Sequence, residues 1–445
     1  MTDTARTPTF LPGYALEAVP RYTSYPPATR FGDEICGGAW ASWMSDMPDV
    51  KTAPVLSLYI HIPFCRSMCW YCGCNTTVPN RDSRVERYLQ ALHTEIETRP
   101  APAGGTVRHI HFGGGSPDML SPARFGAIMR ALRSRYDIAP DAEIAVELDP
   151  RGLDGRLCDA LAENGVTRAS LGVQDLSGEV QQLIHRIQPA EQVDAAARAL
   201  RAAGIPAINM DIMYGLPAQT IERVEATARA VAGMQADRVS VFGYAHVPWF
   251  KKHQKAIPED RLPGARDRFD QMLAAAGVLS GAGYQSIGFD HFARPGDPLA
   301  RAARDGSLRR NFQGYTDDPY DVLIGFGASS ISEAPQGYAQ NIPDPARYAD
   351  AIGSQGSAVV RGVARSWRER QVGERLMQLL CSFEIPLDGS LFDPDQLEGV
   401  IADGLARLDN GHLRVTEAGL PYVRNIAARI DPDFEQAEQR HSRAV

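Results

Sequence analysis

Cys65, Cys69, Cys72 and Cys74 fall within ten residues, in the run Leu58-Tyr-Ile-His-Ile-Pro-Phe-Cys-Arg-Ser-Met-Cys-Trp-Tyr-Cys-Gly-Cys-Asn75. Thiolate is the soft ligand that iron–sulfur clusters take, so Cys65, Cys69 and Cys72 in one tight loop can hold three irons of a [4Fe–4S] cube. The fourth iron is then left open to chelate a small molecule. A structural zinc knot would pair such an element with a second Cys/His pair downstream. None follows, and His109 and His111 lie beyond a strand pattern. A disulfide framework fits poorly with seven cysteines and no secretory leader pattern. Cys36, Cys158 and Cys381 stand alone, and the last two sit in apolar helical patterns as core fillers.

The chain of 445 residues exceeds one ordinary compact domain but suits an α/β barrel with an appendage. No run of eighteen apolar residues occurs, which predicts no membrane span. A formal charge of −8 argues against general nucleic-acid binding. Free thiols and an oxygen-labile cluster predict a cytoplasmic protein, with a monomer as the default.

Strand-like runs alternate with amphipathic helical stretches. The strands are expected at Leu56–Ile62, Val107–Phe112, Ile144–Leu148, Ala169–Val173, Ala207–Met213 and Val239–Tyr244. The helices are expected near Val85–Thr98, Pro122–Tyr136, Gly155–Asn164, Ala190–Ala203 and Ile221–Gly233. This alternation predicts parallel strands with crossover helices, in a partial (β/α)6 TIM-like barrel. In β/α barrels the chemistry sits at strand C-termini, where the cysteine loop also falls. The expected organisation is an N-terminal arm (1–50), the barrel (51–300), a barrel-covering segment (301–364) and a mainly helical, winged-helix-like C-terminal domain (365–445).

Further motifs carry a family resemblance. They are Arg21-Tyr-Thr-Ser-Tyr-Pro-Pro27, Gly113-Gly-Gly-Ser-Pro117, Glu147-Leu-Asp-Pro150, Gly172-Val-Gln-Asp175, Asp211-Ile-Met-Tyr-Gly-Leu-Pro217, Tyr244-Ala-His246, Asp290-His-Phe-Ala-Arg-Pro295 and Arg310-Asn-Phe-Gln-Gly-Tyr-Thr316. In this order, with the cysteine loop, the chain resembles the oxygen-independent coproporphyrinogen III dehydrogenases of the radical S-adenosylmethionine (radical SAM) superfamily. The resemblance implies a [4Fe–4S] cluster, two SAM molecules and a reducing donor such as flavodoxin or ferredoxin. It implies oxidative decarboxylation of two propionates of coproporphyrinogen III to vinyl groups through a 5′-deoxyadenosyl radical, giving protoporphyrinogen IX in haem biosynthesis. Two alternatives share the scaffold: a haem chaperone, which normally lacks the fourth cysteine and the arm, and a radical SAM enzyme that modifies or degrades haem.

The resemblance makes Cys65, Cys69 and Cys72 the cluster ligands and Cys74 an additional, non-ligating thiol. It places Tyr59, Gly114, Glu147 and Ile331 around the cluster-bound SAM. Tyr71, Gly115, Ser116, Gln174, Arg186, Asp211 and Ala245 fall around the second. Physical sense supports several of these, since glycines admit close backbone approach and a carboxylate such as Glu147 or Asp211 accepts from an ammonium or ribose hydroxyl. Each also has an ordinary structural role open to it, as a loop glycine, a capping carboxylate or a packed aromatic. For the substrate's propionates, Arg21, Arg30, Arg294 and Arg310 are candidate partners, because guanidinium pairs with carboxylate bidentately. His291 reads as structural. Tyr71 stands where the family often has Phe, Ser116 where Thr is usual, and Gly373 interrupts a helical pattern at a cost of about 1 kcal/mol relative to Ala. The variant Cys72→Ser is expected to lose both iron and SAM cleavage, whereas Cys74→Ser keeps its cluster. Iron and sulfide analysis after anaerobic reconstitution checks both, and an iron-replete, SAM-cleaving Cys72→Ser protein would overturn the ligand assignment.

Overall fold

The computed structural model describes residues 8–47, 53–387 and 389–434, so the extreme ends of the arm and of the C-terminal region lie outside the described residues. Six strands lie side by side in chain order: β1 (Val55–Ile62), β2 (Thr106–Gly114), β3 (Asp137–Leu148), β4 (Arg168–Gln174), β5 (Ala207–Tyr214) and β6 (Arg238–Gly243). Each pairs with the next in parallel. The crossover helices Asp82–Thr98, Pro122–Arg135, Gly155–Glu163, Ala190–Ala202 and Ile221–Gly233 fall close to the expected bounds. In the first of them Val85, Tyr88, Leu89, Leu92 and Ile96 form one buried stripe at helical spacing, which seals it against the sheet. Ser121, Asp154 and Thr220 cap three of the others by accepting from backbone N–H groups of the first turn.

The sheet extends beyond the six units. After β6 come the short strands β7 (Gln285–Ile287) and β8 (His291–Ala293), with β8 antiparallel to β6. A separate hairpin joins β9 (Arg309–Asn311) to β10 (Gly314–Thr316). On the other flank β11 (Val322–Phe326) pairs with β1 in parallel, followed by the antiparallel β12 (Ile331–Ala334), β13 (Gly337–Asn341) and β14 (Val359–Ala364). The resulting twelve-stranded sheet runs from β14 to β7 without closing. Much of the 301–364 segment, expected to cover the barrel, is therefore sheet. All five residues of β11 are buried, as an apolar run at a central position requires.

A second apolar core joins the two ends of the chain. Ala15, Val19, Tyr22 and Tyr25 of the arm pack with Leu376, Leu379 and Leu380 of helix Trp367–Ser382 and with Val423 and Ile426 of the last helix, Val423–Ile430. Between these helices lies a three-stranded antiparallel sheet of β15 (Glu384–Pro386), β17 (His412–Val415) and β16 (Ala406–Asp409). Tyr22 and Tyr25 donate their hydroxyls to the two oxygens of Asp431, at 3.0 and 2.9 Å. Among the described residues no helix is long and apolar enough to cross a membrane.

Gly373, costly by helix propensity, has a packing reason. A Cβ there would meet the Tyr25 side chain at 3.1 Å, and Tyr25 is pinned by its hydrogen bonds. Overpacking of this kind costs about 1–3 kcal/mol, against about 1 kcal/mol gained in propensity. Gly373→Ala is accordingly expected to lower the thermal midpoint and to speed proteolysis between arm and C-terminal helices. A raised midpoint would show that Tyr25 can yield.

Candidate active site

The cysteine loop leaves the C-terminal end of β1 and is laced back to it. Cys65 N–H donates to Thr77 O at 3.0 Å and Thr77 N–H to Pro63 O at 2.8 Å. Two guanidiniums reach Cys69: Arg186 Nη1 donates to its sulfur at 3.5 Å and Arg151 Nη2 at 3.6 Å. Both also bind Asp149, at 3.1 and 2.6 Å. A thiolate at Cys69 thus meets compensating charge. Cys72 is pushed down to about 7, chiefly by the hydrogen bond from Cys74, and burial pushes Cys65 up to about 12. No three His, Cys, Asp or Glu side chains among the described residues converge as ligands of one ion. Thiols that bind separate irons of a polynuclear cluster need no such convergence, and the soft donor set fits that group.

The next turn, after β2, is built on close approach. Gly114 has φ +108°, and a Cβ on it would lie 2.3 Å from the His61 ring. One on Gly115 would strike Phe64 O at 2.6 Å. The amides here are already engaged: Gly114 N–H with Glu147 at 3.2 Å, Gly115 N–H with Ile62 O and Ser116 N–H with Phe64 O, both at 2.8 Å. The absence of a Cβ at both positions lets the turn come close against His61 and Phe64 at the start of the thiol loop. The Ser116 hydroxyl, buried, donates to Asp118.

Tyr59 and His61 share one face of β1. Since Asn75 O can only accept, His61 donates from Nε2 to it at 2.9 Å and accepts from the Tyr59 hydroxyl at Nδ1, at 3.0 Å. Burial lowers the His61 pKa and keeps the ring in this neutral form. Tyr59 also stacks on His111, whose Nε2 donates to Glu147 at 2.9 Å. Burial works to raise the Glu147 pKa, but the His111 bond and charge and the Gly114 amide outweigh it and hold the carboxyl below its ordinary value. Glu147 lies deep yet 41% of its side chain is accessible, because it faces a cavity inside the barrel. Asp211 lines the same cavity, accepts from Ser170 at 3.0 Å and is raised by burial, with the Glu147 charge adding to it. Ile331 comes near Tyr59 through Gly325, which pairs with Tyr59 and packs against the Ile331 carbonyl.

Of the remaining expected residues, Gln174 and Arg186 meet at Gly172, and Tyr71 and Ala245 meet at Gln254. Gln174 takes φ +66° at the end of β4. Gly172 leaves room for both Gln174 and Arg186, and its carbonyl accepts from Arg186 at 2.6 Å. Buried Gln254 ties two more together, donating to Tyr71 O at 2.9 Å and Ala245 O at 3.3 Å.

Beside the thiols a cavity of about 720 Å³ opens, with Cys74 and Ala245 in its wall. Four arginines line it: Arg21 from the arm, Arg268 from helix Ala265–Gly281, Arg310 from β9 and Arg424 from the last helix. Arg310 sits between Phe289 and Tyr315, 4.7 and 4.6 Å from their ring centroids, and 3.8 Å from Asp290. Burial, then the neighbouring Arg21, pushes Arg424 down to about 10, so it stays charged at neutral pH. Asp290 also accepts from His291 Nδ1 at 2.6 Å. Arg30 and Arg294, the other two expected carboxylate partners, do not line this cavity. Arg30 pairs with Asp433 at 2.8 Å, and Arg294 donates to Ala236 O at 3.0 Å while lying over Tyr284.

A thiol loop ending the first strand of an open parallel barrel defines a radical SAM protein, and the radical SAM superfamily model matches residues 59–231. An oxygen-independent coproporphyrinogen III oxidase of Bradyrhizobium diazoefficiens is 44% identical over 97% of this chain and 98% of its own. The Escherichia coli protein of that name is 37% identical over 96% of each chain. The solved coproporphyrinogen III oxidase from Escherichia coli, described as a radical SAM enzyme, superposes with a TM-score of 0.88 over 93% of this chain and 98% of that one, at 37% identity. The chain belongs to the oxygen-independent coproporphyrinogen III oxidase family.

His61, His111, Asp149, Arg151, Gln254, Arg268 and Arg424 were not among the residues singled out from sequence as site residues. His61 carries the signal of strand spacing from Tyr59, and Asp149 lies inside a quoted motif, whereas Arg268 and Arg424 carry none. Arg151→Met should retain iron but shift the cluster potential to more negative values, as loss of a charged donor at a thiolate requires. The expected size is of order 60 mV, the one-electron equivalent of about 1.4 kcal/mol. Redox titration of the reconstituted protein checks this.

Proposed function

We propose that this chain converts two propionate side chains of coproporphyrinogen III to vinyl groups by oxidative decarboxylation, giving protoporphyrinogen IX in oxygen-independent haem synthesis. The observation that carries the reading is a thiol loop sharing a cavity wall with four arginines and several aromatic rings. A macrocycle bearing four carboxylates is apolar in its middle and anionic at its edge, and this cavity has the complementary character. The relatives' shared name agrees with it.

In this reading Cys65, Cys69 and Cys72 hold the cluster and Cys74 faces the substrate. Tyr59, Gly114, Glu147 and Ile331 surround a cluster-bound SAM. Tyr71, Gly115, Ser116, Gln174, Arg186, Asp211 and Ala245 surround a second. The cluster and SAM, when bound, supply one-electron hydrogen abstraction at carbon. What the chain adds is position. Glu147 and Asp211 give the barrel interior two carboxylates for cationic ligands, Arg186 balances the charge at Cys69, and Arg21, Arg268, Arg310 and Arg424 clamp propionates. Aromatic and aliphatic walls, including Phe289, Phe312 and Met272, exclude water from a reactive intermediate. A reduced flavodoxin- or ferredoxin-type donor, a monomeric state and a cytoplasmic location accompany this reading, in keeping with an oxygen-labile cluster.

The reading is tested by anaerobic reconstitution with iron, sulfide, reductant, SAM and coproporphyrinogen III, with product followed by mass. Loss of two carboxyl groups is expected. Cleavage of SAM without decarboxylation would move the reading toward haem chemistry, and tight haem binding with neither reaction toward a chaperone. Arg310→Met should raise KM for the porphyrinogen about tenfold or more, the loss of one bidentate charged contact, while SAM cleavage persists.

A further inference from the structure

The chain carries 46 lysines and arginines, yet only four are lysine: Lys51, Lys251, Lys252 and Lys255. Three of the four thus fall within five residues, on the loop that follows β6. Trp249 and Phe250, at the start of the same stretch, are 57% and 75% exposed, among the most exposed large apolar side chains described. Lys252 and Lys255 are exposed as well. Among the described residues no carboxylate forms an ion pair with any of the three lysines.

The inner side of this loop grips the cysteine loop. Lys251 Nζ donates to Cys74 O at 2.8 Å, His253 Nε2 to Cys72 O at 2.7 Å and Gln254 Nε2 to Tyr71 O at 2.9 Å. One short segment therefore presents cations and aromatic rings to solvent and, through a single layer of hydrogen bonds, touches the backbone between two cluster thiols.

We propose that Trp249–Lys255 is the docking surface for the protein that reduces the cluster, and that this protein is a small, acidic, one-electron carrier. The proposal rests on the cluster assignment given above. Charge complementarity selects the partner. An acidic carrier is repelled by a chain of net charge −8 and is drawn to the place where lysines are concentrated. Lysine suits a brief encounter. Its ammonium is a hydrated point charge on a flexible stem, whereas arginine forks hold a carboxylate in fixed geometry. The exposed rings give the contact an apolar centre within the cationic rim. The step transfers one electron: the carrier is oxidised by one electron, the cluster is reduced from its 2+ to its 1+ state, and no atom changes hands.

The test uses the reconstituted holoprotein, an acidic flavodoxin as probe, and the double variant Lys252→Glu/Lys255→Glu. Wild-type protein is expected to bind oxidised flavodoxin with a Kd that weakens as salt rises. The variant should bind at least tenfold more weakly and lose flavodoxin-driven SAM cleavage, while dithionite-driven cleavage is unchanged. Lys252→Arg/Lys255→Arg, which keeps the charge, should bind as wild type and guards against misfolding of the first variant. Equal flavodoxin affinity in wild type and charge-reversed protein would overturn the proposal. So would an equal loss with dithionite, which would make the loop part of the site itself. Lysine-dependent binding to phosphatidylglycerol vesicles, with flavodoxin affinity unmoved, would assign the surface to a membrane instead. Failure of the coproporphyrinogen reading is separable, because it would appear as missing decarboxylation with carrier binding intact.

Discussion

The site depends on the register of β1, which is hydrogen-bonded in parallel on both sides. Tyr59 has His111 as its partner on β2 and Gly325 on β11. This fixes which residues face the barrel interior, because a slip of one residue would turn every side chain of the strand to the other face. It also fixes where the strand ends, and hence where the thiol loop begins. Tyr59, His61 and His111 then stand in a row that leads from the loop to Glu147.

Polar residues line the inside of this barrel to an unusual depth. His109, Glu143, Arg168, Asn209 and Arg238, one from each of five strands, all face the inner cavity. Arg168 pairs with Glu143 at 3.0 Å and Asp297 at 3.3 Å, and Arg238 pairs with Asp297 at 2.6 Å. Buried charges need partners of this kind. Glu147 and Asp211 line the same cavity, where Glu147 accepts from His111 and Gly114 and Asp211 accepts from Ser170.

The six β/α units were legible in the sequence because parallel strands and their covering helices differ in period and are punctuated by glycine and proline. Spacing alone marked the thiols. The extension by β11–β14 was not legible, because short strands such as Ile331–Ala334 carry too few residues to show a period. The arginines that line the cavity were half legible. Arg21 and Arg310 sit in motifs near the mouth, whereas Arg268 and Arg424 belong to helices whose sequence gives no sign of which face meets the cavity. Arg30 and Arg294 sat in equally suggestive motifs but spend their guanidiniums elsewhere. Composition also held a clue that only the structure made usable, since the crowding of lysines at 251–255 gains meaning only once their loop is seen to grip the cysteine loop.

The second core joins residues from opposite ends of the chain, and the contact between Tyr22 and Asp431 spans 409 positions. Such a loop closes late, because its entropy must be met before the contact contributes. The arm docks here on a segment that follows it by 406 to 409 positions. Pro421, Val423 and Arg424 from the late segment and Arg21 and Thr23 from the arm both line the cavity beside Cys74. One wall of that chamber is thus a seam between two distant parts of the chain, and it is complete only where both have met.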